Sequence, residues 1–129
     1  MAELVYNRSS KTLILKSNGG GEIGRWRAHN NAQRSSRGPF PLGTYAFSWY
    51  SRHAGGTPNS RYGSYGNFIF DVPGRTGMGV HSGRATSTDG AGRKGTAYAT
   101  NGCIRTSDAA MRTIKSTHGS DPITQLTVE

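Results

Sequence analysis

Two short segments carry side chains that could do covalent chemistry together. One is Gly79-Val80-His81-Ser82-Gly83, a histidine at the end of a short apolar run that enters a glycine-rich loop. The other is Thr100-Asn101-Gly102-Cys103-Ile104-Arg105, which holds the only cysteine of the chain. A thiolate is the reactive form of cysteine, so a catalytic Cys103 needs a base within hydrogen-bond reach and a positive surrounding. His81 can supply the base. Arg105 and the basic loops can supply the field. Gly102 lets the backbone approach an acyl carbonyl closely, and the amides of Gly102 and Cys103 could point at a developing oxyanion. Ser82, or a backbone carbonyl beside it, could hold the His81 ring in its useful tautomer.

Each of these residues also has a plainer reading. A lone cysteine is commonly a small buried hydrophobe, and a strand-end histidine is commonly a satisfied structural group. The order of His81, Gly102, Cys103 and Arg105 favours chemistry over packing. Arg105 could equally anchor a loop. Thr100 fits best as a hydroxyl that bonds the turn. Tyr45, Trp49 and Tyr98 read chiefly as core or groove-wall aromatics, of which Tyr45 and Tyr98 could line a substrate groove. His29, His53 and His118 sit in polar stretches and read as solvated, with His53 beside Arg52 the one to watch. One Cys with scattered His lacks the spacing of a zinc site, so no metal is expected.

The elements that must position these groups are short. Leu4–Tyr6 and Thr12–Lys16 read as a hairpin, Glu22–Ala28 as a third strand, and Thr44–Tyr50 as a fourth, fed by the rigid turn Gly38-Pro39-Phe40-Pro41-Leu42-Gly43. Asn67–Val72 alternates Phe68 and Phe70 on one face, Met78–His81 is a short strand, and Ile123–Val128 closes the chain. Ser107 and Asp108 offer cap chemistry for one helix over Ala109–Thr117, which Gly119 can end. The expectation is a single mostly β domain over residues 1–129, a β-sandwich of short strands with one helix after the Cys103 turn.

Composition narrows the class. Hydrophobic residues make up 33% of the chain and Gly number 19, which is lean for a core but lacks any low-complexity tract. Sixteen Lys+Arg against seven Asp+Glu give +9, a balance that attracts polyanions without choosing among nucleic acid, anionic lipid and the bacterial wall. A single cysteine excludes a disulfide framework. No apolar run approaches the roughly 18 residues that span a bilayer, so no membrane insertion is expected. The segment Met1–Arg8 lacks the basic and apolar regions of a signal peptide, which reads as synthesis in the cytoplasm without a Sec-type address.

The pattern His-(gap)-[Ser/Thr]-x-Gly-Cys-[Ile/Val]-Arg, filled here by His81, Thr100, Gly102, Cys103, Ile104 and Arg105, resembles the signature of the L,D-transpeptidase (YkuD-like) catalytic domain. Gly38–Tyr45 is similar to that family's upstream Pro-x-Gly-x-[Tyr/Phe] segment. Two departures stand out: a longer gap between His81 and Thr100, placed in the Thr86–Lys94 loop, and Asn101 where many members carry His. The resemblance implies a cofactor-free thiol enzyme that attacks the amide between the diamino acid and the terminal D-Ala of a peptidoglycan tetrapeptide stem. Transfer to an amine gives a cross-link or D-amino acid exchange, and transfer to water gives carboxypeptidase activity. Cys103 is then the nucleophile and His81 the base, with Ser82 orienting it. Gly102, Arg105, Thr100 and Asn101 form the oxyanion and substrate side. The resemblance is greatest to short effectors delivered by type VI secretion, which implies action in a rival's periplasm or wall and an immunity protein at home.

Two other classes compete. The stretch Ser60-Arg61-Tyr62-Gly63-Ser64-Tyr65-Gly66 could bind single-stranded nucleic acid through Tyr stacking and Arg–phosphate contact, yet the arginines are scattered rather than striped, and nucleic acid is disfavoured as a partner. A wall-binding module that keeps the fold without the chemistry is the third.

Overall fold

The computed structural model describes residues 1–52 and 56–129, so His53 lies outside the described residues. Among the described residues eight strands are hydrogen-bonded in one order: β3 (Glu22–Arg27), β2 (Thr12–Lys16), β1 (Ala2–Asn7), β8 (Ile123–Val128), β4 (Gly43–Ser51), β5 (Asn67–Phe70), β6 (Gly79–His81) and β7 (Ile104–Arg105). β1 and β2 form the expected hairpin, with Leu4 opposite Leu15 and Tyr6 opposite Leu13. β8 lies parallel to β1 and antiparallel to β4.

β4 is the long strand that joins two leaves of the curled sheet. Its first half pairs with β8, from Gly43 opposite Val128 to Ala46 opposite Gln125. Its second half pairs with β5, after a bulge between Phe47 and Trp49. A bulge bends a strand and increases its twist, which is how one strand serves two packed leaves. Between the leaves lies one core containing Leu4, Leu13, Leu15, Phe68, Phe70, Ile104 and Leu126, all essentially inaccessible to water. Each such side chain contributes about 1.5–3 kcal/mol on burial. β5 is buried at all four positions, as expected of a strand covered on both faces.

α1 (Asp108–Ser120) starts as its sequence dictates: the Ser107 hydroxyl accepts the Ala110 amide at 3.1 Å. Ala110, Met111 and Ile114 form its buried face. It runs past the expected stop, so Gly119 lies inside the helix. Pro122 follows the C-cap Asp121, and a residue before proline is held out of helical backbone. His118, expected to be solvated, packs against the rings of Phe47 and Phe68 at 5.0 and 5.2 Å and accepts the Ile123 amide through Nδ1. His29 is likewise half-buried, its Nδ1 3.0 Å from the Thr96 hydroxyl. Among the described residues no helix is long and apolar enough to cross a membrane.

Candidate active site

The register of two parallel strands brings His81 and Cys103 together. Val80 pairs with Ile104 and His81 with Arg105, so Cys103, one residue before Ile104, falls opposite Gly79. Side chains alternate along a strand, and His81 and Cys103 therefore project from the same face as diagonal neighbours. The Cys103 Sγ accepts the Gly79 amide at 3.3 Å and lies 3.5 Å from the Gly77 carbonyl. Gly79 has no room for a side chain there: a Cβ would stand 2.1 Å from Asn67 Oδ1 and 2.5 Å from the Phe68 carbonyl. Both His81 and Cys103 line a cleft of about 320 Å³, walled by Tyr62, Arg84, Tyr98 and Asn101.

His81 is buried, and its Nδ1 is 2.7 Å from the Ser82 carbonyl oxygen. A carbonyl only accepts, so Nδ1 carries the proton and Nε2 is the basic nitrogen of the neutral ring. The edge of the ring meets Tyr62 at 4.9 Å and 74°. Burial pushes the Cys103 thiol above its usual range, against the opposing pull of the Gly79 amide and of Arg105, Arg75 and Arg61.

The turn before β7 is held from three sides. The Thr100 hydroxyl donates to the Cys103 carbonyl at 2.7 Å and accepts the Gly102 amide at 3.0 Å. Asn30 Nδ2 donates to the carbonyls of Gly102 (2.6 Å) and Cys103 (3.0 Å), while its Oδ1 accepts the Phe40 amide at 2.6 Å. Arg75 donates to the carbonyls of Gly38, Pro39 and Asn101. These contacts clamp the Gly38–Phe40 turn onto the cysteine turn. Gly102 has φ +120, and a Cβ on it would lie 2.3 Å from Arg75 Nη2 and 2.9 Å from the Gly38 carbonyl. Among the described residues no group of three His, Cys, Asp or Glu side chains gathers in a way that could hold a metal.

Residues 2–118 match the family model of the L,D-transpeptidase catalytic domain. This chain belongs to that family. The fold is similar to that of the L,D-transpeptidase of Xylanimonas cellulosilytica DSM 15894, with a TM-score of 0.62, 17% identity, and 99% of this chain covering 60% of that one. Mycobacterium tuberculosis L,D-transpeptidase 1 gives 0.59 at 19% identity, with 98% and 60% coverage. Bdellovibrio bacteriovorus Bd1075 gives 0.67 at 16% identity, with 99% and 47% coverage. The chain thus spans about half to three fifths of the length of these solved structures. No curated protein matches it in sequence.

Within this L,D-transpeptidase domain the expected site residues divide. Cys103, His81, Thr100, Asn101, Tyr98 and Arg105 all border the cleft. The structure corrects the expectations for Gly102 and Tyr45 and decides between the alternatives for Ser82 and Arg105. The Gly102 amide is occupied by the Thr100 hydroxyl, whereas the Cys103 amide has no such bond among the described residues. Ser82 holds His81 through its carbonyl, and its hydroxyl instead donates to Asp108 Oδ1 at 2.6 Å. Arg105 is buried with its donors directed at the carbonyls of Ser82, Tyr98, Ala99 and Arg61, which makes it a loop anchor. Tyr45 is a core residue whose hydroxyl donates to the Pro41 and Leu42 carbonyls, so it locks the proline turn and does not wall the cleft.

Sequence reasoning passed over Asn30, Tyr62, Arg75 and Asp108. For Asp108 a signal existed, since a carboxylate beside the Ser107 cap was read only as cap chemistry. The Ser60–Gly66 stretch is not a free stacking platform: Tyr62 meets His81, Tyr65 packs on the core, and Ser64 bonds Asp108 at 2.5 Å.

Proposed function

We propose that this chain is a cysteine acyl transferase acting on peptidoglycan stem peptides, an L,D-transpeptidase with L,D-carboxypeptidase capacity. The observation that carries this reading is the pairing of Cys103 and His81 on one face of adjacent parallel strands, with His81 Nδ1 fixed by the Ser82 carbonyl. Family membership supports the same chemistry.

The acyl donor is a tetrapeptide stem. As Cys103 Sγ attacks the carbonyl of the third residue, its proton passes to His81 Nε2. The tetrahedral oxyanion takes the Cys103 amide. Collapse breaks the C–N bond, and His81 returns the proton to the departing D-Ala amine. The thioester left on Cys103 is then attacked by an amine or by water, with His81 as base again. Arg105 and Arg75 keep this region positive, which favours thiolate character during attack. The finer setting we propose is a secreted antibacterial effector acting in the periplasm or wall of a target cell and neutralised at home by an immunity protein. The resemblance of the sequence to such short effectors supports it, and periplasmic expression with and without Cys103→Ala tests it by loss of viability.

The enzymatic test is mass spectrometry of purified disaccharide-tetrapeptide incubated with wild type and with Cys103→Ala. Loss of one D-Ala mass, or exchange for an added D-amino acid, is expected only with wild type. An unchanged muropeptide in both samples overturns the reading.

A further inference from the structure

We propose that Arg84, assisted by Arg61, forms a carboxylate-recognising subsite in the cleft that selects an acyl donor with a free carboxylate next to the scissile amide. This rests on the acyl-transfer reading above and names what that site reads in its substrate.

The cleft is charged on one side only. Its walls carry Arg61, Arg84 and Arg105 and no Asp or Glu. Arg105 is already engaged by four backbone carbonyls. The other two are not: neither the Arg61 nor the Arg84 side chain forms an ion pair among the described residues, whose three salt bridges all lie elsewhere. The Arg84 Nε is shielded from water and has no hydrogen-bond partner. A shielded guanidinium nitrogen without an acceptor works against stability, so this arrangement is not explained by folding alone.

Arg84 is also held in place at a cost. Its φ is +56, a left-handed backbone conformation that a bulky residue rarely adopts. Its amide donates to the Ser60 carbonyl at 3.0 Å. The neighbouring Gly83 leaves no space for a Cβ, which would stand 2.4 Å from the Ser60 carbonyl and 2.6 Å from that of Arg61. This close approach brings the Arg61 and Arg84 segments against each other at the rim. The Arg84 guanidinium then lies over the Tyr98 ring, 4.9 Å from its centroid, which fixes its plane. Backbone strain at a residue that lines the same cleft as Cys103 is characteristic of groups placed for function.

A planar, oriented guanidinium that stacks on Tyr98 but has no ion-pair partner among the described residues matches a carboxylate, which it can grip through two parallel N–H donors. A cleft walled by one sign of charge further favours an anionic ligand. Two carboxylates of a stem peptide fit this chemistry: that of the terminal D-Ala, and that on the side chain of a diamino acid. The test separates them.

Binding is measured by calorimetry on Cys103→Ala protein, which cannot turn the ligand over, with three probes: disaccharide-tetrapeptide, its C-terminal carboxamide, and its diamino-acid side-chain carboxamide. The free acid is expected to bind about tenfold to a hundredfold tighter than one of the two amides, the range of a charge-assisted pair. Which amide loses affinity names the carboxylate. Adding Arg84→Gln removes that discrimination while Arg84→Lys retains part of it, and thermal melts confirm that both variants fold. Equal affinity for all three probes, no measurable affinity for any, or discrimination that survives Arg84→Gln overturns the subsite. Carboxylate-selective binding without turnover by wild type would instead overturn the acyl-transfer reading and leave the subsite standing.

Discussion

Asp108 Oδ1 accepts the Ser82 hydroxyl at 2.6 Å, so the first residue of α1 supports the peptide unit whose carbonyl orients His81. The same carboxylate accepts the Ser64 amide at 3.1 Å and the Ser64 hydroxyl at 2.5 Å. Three segments distant in sequence thus meet at one side chain: the helix, the end of β6 and the loop that carries Tyr62.

Removing that support should slow chemistry more than it weakens binding. Asp108→Ala is expected to lower kcat on the order of tenfold to a hundredfold, the cost of a misplaced catalytic group, with KM nearly unchanged. The stranded Ser82 and Ser64 donors should also reduce stability by about 1–3 kcal/mol. Steady-state kinetics and urea denaturation read the two effects, and a KM rise at constant kcat would contradict the assignment.

The Thr100 hydroxyl makes two bonds inside the cysteine turn, and its replacement separates shape from chemistry. Thr100→Val keeps the volume and leaves the Gly102 amide and the Cys103 carbonyl without that partner. A loss of about 2 kcal/mol is expected, with Thr100→Ser close to wild type in chemical denaturation. Equal stability of Val and Ser variants would show that the turn does not depend on the hydroxyl.

Gly102→Ala meets two obstacles, a φ of +120 and the nearby Gly38 carbonyl, besides the Arg75 side chain. The backbone strain alone is worth about 1–3 kcal/mol. Because two of the three cannot move aside cheaply, Gly102→Ala/Arg75→Ala should not recover the stability of Arg75→Ala. Recovery in the double variant would assign the whole cost to Arg75.

Asp89 organises the long loop between His81 and Thr100. Burial pushes its carboxyl up, but bonds from the Arg93, Ala99 and Ala91 amides and the Arg93 side chain outweigh it and hold it at about 2. A carboxyl with a depressed folded value contributes stability that is complete above its ordinary value of about 3.9. That contribution disappears as pH falls through the folded value. The melting-temperature gap between wild type and Asp89→Asn should therefore be constant above about pH 5 and close between about pH 4 and pH 2. A gap that ignores pH across that window would refute the role.

Burial favours the neutral Cys103 thiol in the free site, so the proton moves during attack. Iodoacetamide labelling of the free protein should keep accelerating with pH beyond the ordinary thiol value of about 8.5. A labelling rate already on its plateau below pH 7 would mean a preformed thiolate–imidazolium pair.

What could be read without coordinates was whatever local pattern encodes. The β-period of Phe68 and Phe70 and the Ser107 cap each depend on neighbours in sequence, and each stands where expected; His81 and Cys103, read from their order in the chain, line one cleft. β7 escaped because two residues carry no periodicity, and only pairing with β6 makes Ile104–Arg105 a strand. Asn30 and Arg75 escaped because their partners are remote: Asn30 Nδ2 reaches the Gly102 carbonyl across 72 positions. The error at Gly119 was local. Glycine permits a helix to end but does not compel it, and here Pro122 ends the turn.

β8 is the strand that joins the β3-β2-β1 unit to β4, pairing with β1 on one side and with β4 on the other, while a smaller link runs from His29, just past β3, to Arg105. The ribosome makes that strand after His81 and Cys103 have been added to the chain. Until residues 123–128 are in place, β1 and β4 have no common neighbour. The order of synthesis thus acts as a timer: the nucleophile is translated before the strand that joins β1 to β4, so closure of that part of the sheet must follow translation of β8.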